Sequence, residues 1–245
     1  MQNFSKVNIH EIAENAISNL LDNDKTRFLN DLRLILDSKC SFHKLDLLGK
    51  SIGYALKDSP KILIEGFDKL IEYNKMGSYV ISSQGLIQLL PDNIELVMEK
   101  SRDYILFGNK WYVCDIIGER SVGQSLVDYF EGTLPWIEDF LADENSWIKR
   151  TAGVSIHFFS KRIKNDNEKT LILLKILEPY MEEKQIDIVK GIGWGLKTIG
   201  KYHPDLIVSF MRDQLDMKKK ISKIILRKAM TYLPDDKKEE IKSYV

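Results

Sequence analysis

The chain has 245 residues, and its 36 Lys+Arg are balanced by 36 Asp+Glu, so a formal net charge of zero leaves no bulk nucleic-acid signature. A composition of 44% hydrophobic and 29% charged residues excludes a disordered or fibrous chain and fits an ordinary soluble protein. Two cysteines outside any C-x-x-C pattern (Cys40, Cys114) and four scattered histidines exclude a disulfide framework and leave no metal-ligand spacing, so neither metal nor cofactor is expected.

The polar start Met1-Gln2-Asn3-Phe4-Ser5-Lys6 lacks a signal-peptide core, and no apolar run is long enough to cross a bilayer. A cytoplasmic protein is expected, nucleoid-associated in a bacterium. Asn8-x-x-Glu11 reads as a capping-box start, followed by Ile12, Ala16, Ile17, Leu20 and Leu21 at helical spacing. Ser59-Pro60 opens another helix, with Pro60 where a missing N–H costs nothing. Ile62, Leu63, Phe67, Leu70 and Ile71 give its core face, and Gly77 reads as its terminator. Leu90-Pro91-Asp92, Thr133-Leu134-Pro135, His203-Pro204 and Leu233-Pro234-Asp235 read as further helix starts. No stretch alternates like a strand.

Short helices joined by short turns over this length predict an all-α fold: a HEAT-like helical-repeat superhelix, an α-α solenoid with a concave basic groove. A non-repetitive helical bundle fits the same pattern. No low-complexity linker interrupts the chain, so residues 1–245 are expected to form a single monomeric domain.

Asp115 is the only charged residue in Trp111-Tyr112-Val113-Cys114-Asp115-Ile116-Ile117-Gly118. On a helix Trp111 and Asp115 share a face. A carboxylate among apolar neighbours is either paired or placed for chemistry, because burying it alone is costly. An indole beside a carboxylate suits a cation. A partly exposed aspartate beside a core tryptophan is the plainer alternative.

Charge is unevenly distributed. From Lys190 to Val245 there are 13 Lys/Arg and 7 Asp/Glu. Lys190, Trp194, Lys197 and Lys201 fall on one helical face, while Ile192, Leu196 and Ile199 form a packing face. The glycines at 191, 193, 195 and 200 weaken such a helix by roughly 1 kcal/mol each relative to alanine, which suggests close approach by a helix or a ligand. Lys220, Lys223 and Arg227 fall at i, i+3 and i+7, a basic ridge able to neutralise phosphates, with Ile221, Ile224 and Ile225 turned toward the core. Asn145-Ser146 caps a helix carrying Trp147 and Arg150, whose planar fork suits phosphate or carboxylate. Solvated basic faces and an ordinary salt bridge of Arg150 to Asp143 or Glu144 account for the same residues.

Trp111-x-x-x-Asp115, then Asn145-Ser146-Trp147-Ile148-Lys149-Arg150-Thr151-Ala152, then Ile192-Gly193-Trp194-Gly195-Leu196-Lys197, resemble the AlkD-like DNA alkylation repair glycosylases. The segment Ile221 to Ala229 is similar to the family's C-terminal basic repeat. The likeness runs from 109 to 233; before that only the helical pattern agrees. It implies HEAT-like repeats and hydrolysis of the N-glycosidic bond of cationic N3- or N7-alkylated purines in double-stranded DNA, without a base-flipping pocket. It assigns Trp111, Asp115 and Trp194 to the catalytic site and Arg150 to the DNA backbone. Lys184-Gln185-Ile186-Asp187 stands where the family often has a Phe-Phe pair, Gly195 replaces an alanine and Lys197 an arginine. Lys190, Lys197, Lys201, Lys220, Lys223 and Arg227 are the further DNA-binding candidates. A non-catalytic helical scaffold that binds DNA or a protein partner is the alternative function.

Overall fold

The computed structural model describes residues 6–244; the polar start read at residues 1–5 lies outside the described residues. Every regular element among the described residues is helical. The chain divides after Ser121 into two compact units. The first holds α1 (Lys6–Leu21), α2 (Lys25–Leu36), α3 (Phe42–Ala55), α4 (Pro60–Glu72), α5 (Met76–Leu86), α6 (Ile94–Gly108) and α7 (Trp111–Ile117). A π turn, Gly118–Val122, follows. The second holds α8 (Gly123–Asp128), α9 (Phe130–Ala142), α10 (Ser146–Arg162), α11 (Asn167–Leu177), α12 (Ile186–Tyr202), α13 (Pro204–Asp216), α14 (Lys223–Ala229) and α15 (Asp235–Lys242).

Within each unit alternate helices pack on one another. α1, α3, α5 and α7 form one row of the first unit, with α2 against α4 in a second. α8, α10, α12 and α14 form a row of the second unit, beside α11, α13 and α15. Two rows of alternating helices are the arrangement of a helical repeat, in which each element buries its apolar face on its neighbours. Among the described residues no helix is long and apolar enough to cross a membrane.

The predicted boundaries hold where the capping chemistry is strong. Pro60 and Pro204 both stand in the first turn of their helices. Asn145 accepts from the backbone N–H groups of Trp147 (2.9 Å) and Ile148 (3.4 Å). The helix after Ser59-Pro60 buries Leu63, Phe67, Leu70 and Ile71, while Ile62 is only half-buried.

Three expectations need correction. α1 begins before Asn8, so Asn8 is no cap, and its core face is Ile9, Ala13, Ala16 and Leu20, with Leu21 exposed. Gly77 does not end α4: Asn74 does, with a left-handed φ of 53°, and Gly77 lies inside α5 facing Leu36 and Leu45. Asparagine tolerates that conformation better than other non-glycine residues, so the terminator need not be glycine. Pro135 lies inside α9 rather than at its start. The helix continues because Phe130, Thr133, Ile137, Phe140 and Leu141 are buried on either side of the proline, and that packing outweighs one lost backbone hydrogen bond.

Candidate functional site

The first set of candidates lies on α7. Gly108-Asn109 ends α6, with Asn109 at φ 45° donating its N–H to the Ile105 carbonyl at 2.9 Å. Lys110 is extended, and α7 starts at Trp111. Val113, Cys114, Ile116 and Ile117 are buried, which turns Trp111 and Asp115 to the other side. Trp111 is 59% exposed, far more than a core tryptophan, and meets Tyr112 edge-on at 5.9 Å. Asp115 is half-buried one turn later, with the Cys114 sulfur 3.8 Å from its Oδ1. The Cys114 thiol itself donates to the Trp111 carbonyl at 2.9 Å.

The second set lies where α10, α12 and α14 meet. The four glycines of α12 answer the question raised by their cost in helix propensity: neighbouring helices approach there. A Cβ on Gly153 would stand 2.3 Å from the Gly191 carbonyl carbon, and one on Gly191 would stand 2.6 Å from the Arg150 carbonyl oxygen. The α10 and α12 backbones therefore touch beside Arg150, which is only 8% exposed. On the other side of α12 a Cβ at Gly193 would meet the Lys228 stem at 3.0 Å, so α14 lays that lysine along α12. Ile192, Leu196 and Ile199 are buried as the packing face predicts.

This contact leaves a hollow of about 330 Å³ lined by Arg150, Lys190, Trp194, Lys197, Ile224, Arg227 and Lys228. Among the described residues no carboxylate is within ion-pair distance of Lys190, Lys197, Arg227 or Lys228, whereas other lysines of the unit have such partners. Burial, and then the positive charges of Lys197, Arg227, Arg150 and Lys190, hold the Lys228 ammonium below the usual lysine range. A cluster of like charges around one concavity repels itself until an anion enters, and forked and point-like donors together match phosphate oxygens.

Trp194 forms one wall of this hollow, and His157 lies behind it. The two rings are stacked, with centroids 4.2 Å apart and planes 24° apart. His157 Nδ1 is 2.6 Å from Thr198 Oγ1, and the Thr198 hydroxyl donates to the Trp194 carbonyl at 3.1 Å. Thr198 therefore links the imidazole to the backbone of the residue whose ring it stacks on. One face of the indole is thus covered by the protein.

The structure brings together Arg150, Lys190, Trp194, Lys197 and Arg227 of the candidates, and adds Lys228 and His157. Lys228 is one position away from the Lys220–Lys223–Arg227 spacing, and His157 is two turns from Arg150 on the same helix; each relation is visible only once the helix neighbours are known. Lys201 lies outside the hollow lining, its ammonium 5.4 Å from the Tyr232 ring. The basic ridge is not one helical face: α14 starts at Lys223, and Lys220 precedes it, with its backbone N–H donating to Glu182 at 2.7 Å. Ile225 is buried as expected, but Ile221 is half-buried and Ile224 faces the hollow. Ile186 and Asp187 open α12, with Ile186 exposed.

The family model described as DNA alkylation repair enzyme matches residues 43–233. The chain belongs to this family. Membership supports a role in DNA alkylation repair and DNA as the partner. No curated protein matches the chain.

Proposed function

We propose that this family member is a DNA glycosylase that hydrolyses the N-glycosidic bond of cationic N3- or N7-alkylated purines in double-stranded DNA. The observation that carries the reading is the exposed indole of Trp111 one helical turn from the carboxylate of Asp115, on a helix whose other face is buried. The cationic hollow around Trp194 supports the DNA partner.

An alkylated purine already carries a positive charge, so it leaves without a strong general acid. The C1′–N bond breaks with its electron pair going to the base, which departs neutral. The sugar is left as an oxocarbenium ion. Asp115 stabilises that charge and orients a water, whose oxygen bonds to C1′ while its proton passes to the carboxylate or to solvent. The face of Trp111 attracts the cationic nucleoside, a contact worth roughly 0.5–2 kcal/mol. For Trp194 the family resemblance proposes the same aromatic role. Arg150, Lys190, Lys197 and Arg227, joined by Lys228, are proposed to hold backbone phosphates, with Lys201, Lys220 and Lys223 as further contacts outside the hollow.

The deciding experiment is release of 7-methylguanine from methylated duplex DNA by the purified protein, under single-turnover conditions, beside Asp115→Asn. The near-isosteric variant is expected to bind DNA and lose most of the activity. Equal rates for the two would remove Asp115 from the chemistry. A wild type that binds DNA and releases no base would make the non-catalytic scaffold the better reading.

A further inference from the structure

The proposed chemistry stands on a helix of seven residues, Trp111–Ile117. A helix that short is not stable by itself, so its orientation is set by what it is tied to. Its apolar side packs on α5 and α6. Its carboxyl end runs into the π turn Gly118–Val122. Such turns interrupt regular helical hydrogen bonding and concentrate near functional groups.

Two side chains of that turn reach back to the end of α7. Arg120 Nη1 donates to the Ile116 carbonyl at 3.5 Å, and the Ser121 hydroxyl donates to the Ile117 carbonyl at 3.4 Å. The same guanidinium grips Asp46 on α3, with Nε 2.7 Å from Oδ1 and Nη2 3.4 Å from Oδ2. It also lies 5.4 Å from the Phe42 ring centroid. The Arg120 side chain is 12% exposed, so this pair is far less solvated than an ordinary surface bridge. One planar fork therefore ties the last turn of α7 to a helix 74 residues earlier in the chain. A positive charge there also suits the negative pole of the helix.

We infer that Arg120, held by Asp46, is a positioning residue for Asp115 and Trp111. It fixes the rotation of α7 about its own axis, and that rotation sets the direction in which both side chains project. A lysine keeps the charge but cannot span a carbonyl and both carboxylate oxygens at once. The catalytic consequence rests on the proposed role of Asp115; the orientation of Trp111 does not.

The test uses the full-length protein with Arg120→Lys, Asp46→Asn and the double variant. Lys25→Gln, which breaks the Lys25–Glu65 pair in the same unit, is the control. Three quantities are measured: single-turnover base release, DNA affinity, and the fluorine spectrum of protein labelled with 5-fluorotryptophan, in which Trp111→Phe identifies the Trp111 signal. Each single variant is expected to keep its native circular dichroism and DNA affinity, to shift or broaden the Trp111 signal, and to release base about ten- to a hundredfold more slowly. The double variant should be no slower than the worse single one, because one device is removed once. The control should change none of these. An unmoved Trp111 signal with an unchanged rate overturns the inference. So does loss of native circular dichroism in all three variants, which would make the pair a stability element. If the wild type releases no base, the proposed function fails separately, and the Trp111 signal alone decides whether Arg120 orients the helix.

Discussion

The α3–α5 contact of the first unit and the α10–α12 contact of the second are built alike and lead to different surfaces. In the first, a Cβ on Gly49 would stand 2.2 Å from the Ile81 carbonyl oxygen, and Gly53 meets Gly85. In the second, Gly153 meets Gly191, and Gly195 approaches the Gly153 carbonyl. Both pairs bring backbones together through small residues. In the first unit, basic side chains that reach between helices end on acids: Arg120 on Asp46, Lys100 on Asp68, Lys75 on Asp37. Around α10, α12 and α14, Arg150, Lys190, Lys197, Arg227 and Lys228 line one hollow. The same packing device therefore stands beside paired charges in one place and beside a cationic hollow in the other, and the side chains flanking the glycines decide which.

The sharpest way to break this comparison is to separate rate from grip. Asp115→Asn should lower single-turnover base release about 10²–10³-fold with little change in DNA affinity. Lys197→Gln combined with Arg227→Gln should do the opposite, weakening binding and reducing the slope of log affinity against log salt by about two. Salt titrations of binding beside rate measurements check both. The outer pair Lys220→Gln/Lys223→Gln tests whether the grip extends beyond the hollow, and it should flatten the slope less than the inner pair does. An equal or larger effect of the outer pair would move the phosphate track away from Trp194.

The likeness of the two glycine contacts is tested by Gly49→Ala and Gly153→Ala. Each added methyl meets backbone rather than a movable side chain, so each should cost about 1–3 kcal/mol in denaturant unfolding despite alanine's better helix propensity. A stabilised Gly153→Ala would break the parallel.

The smallest effect concerns a residue of the second unit alone. His203 precedes Pro204 and is buried, with Nδ1 2.8 Å from Asn167 Oδ1. Burial holds its imidazole below the usual range, against the opposing pull of Asp166 and the Ile163 backbone. The unfolded chain therefore takes up this proton first. The stability from keeping His203 neutral is present above the unfolded value of about 6.5 and is lost as pH falls through the folded value. Melting temperature should drop with acidification from neutral pH, and His203→Gln should flatten that part of the profile.

Much of this was legible in the chain itself. Proline and asparagine at helix starts act through local backbone chemistry, so Pro60, Asn145 and Pro204 mark their helices without help from the rest of the fold. The i, i+4 relation of Trp111 and Asp115 needs only a helix, and α7 supplies it. The order of those two residues with Arg150 and Trp194 carried the family resemblance. Local rules failed where tertiary packing outweighed them. Pro135 was absorbed into α9 because its neighbours are buried, and Asn74 displaced Gly77 as the end of α4.

The hollow was half legible. Lys190, Trp194 and Lys197 share a face of one helix, and periodicity shows that. Arg150 and Lys228 join them from 40 and 38 residues to either side of Lys190, and only the Gly153–Gly191 and Gly193–Lys228 contacts bring them there. The grip of Arg120 on Asp46 is likewise invisible in a linear reading. Sequence determines which residues share a helix face, because that depends on a fixed rise and rotation per residue. Tertiary structure decides which faces meet, because that depends on how closely two backbones can approach.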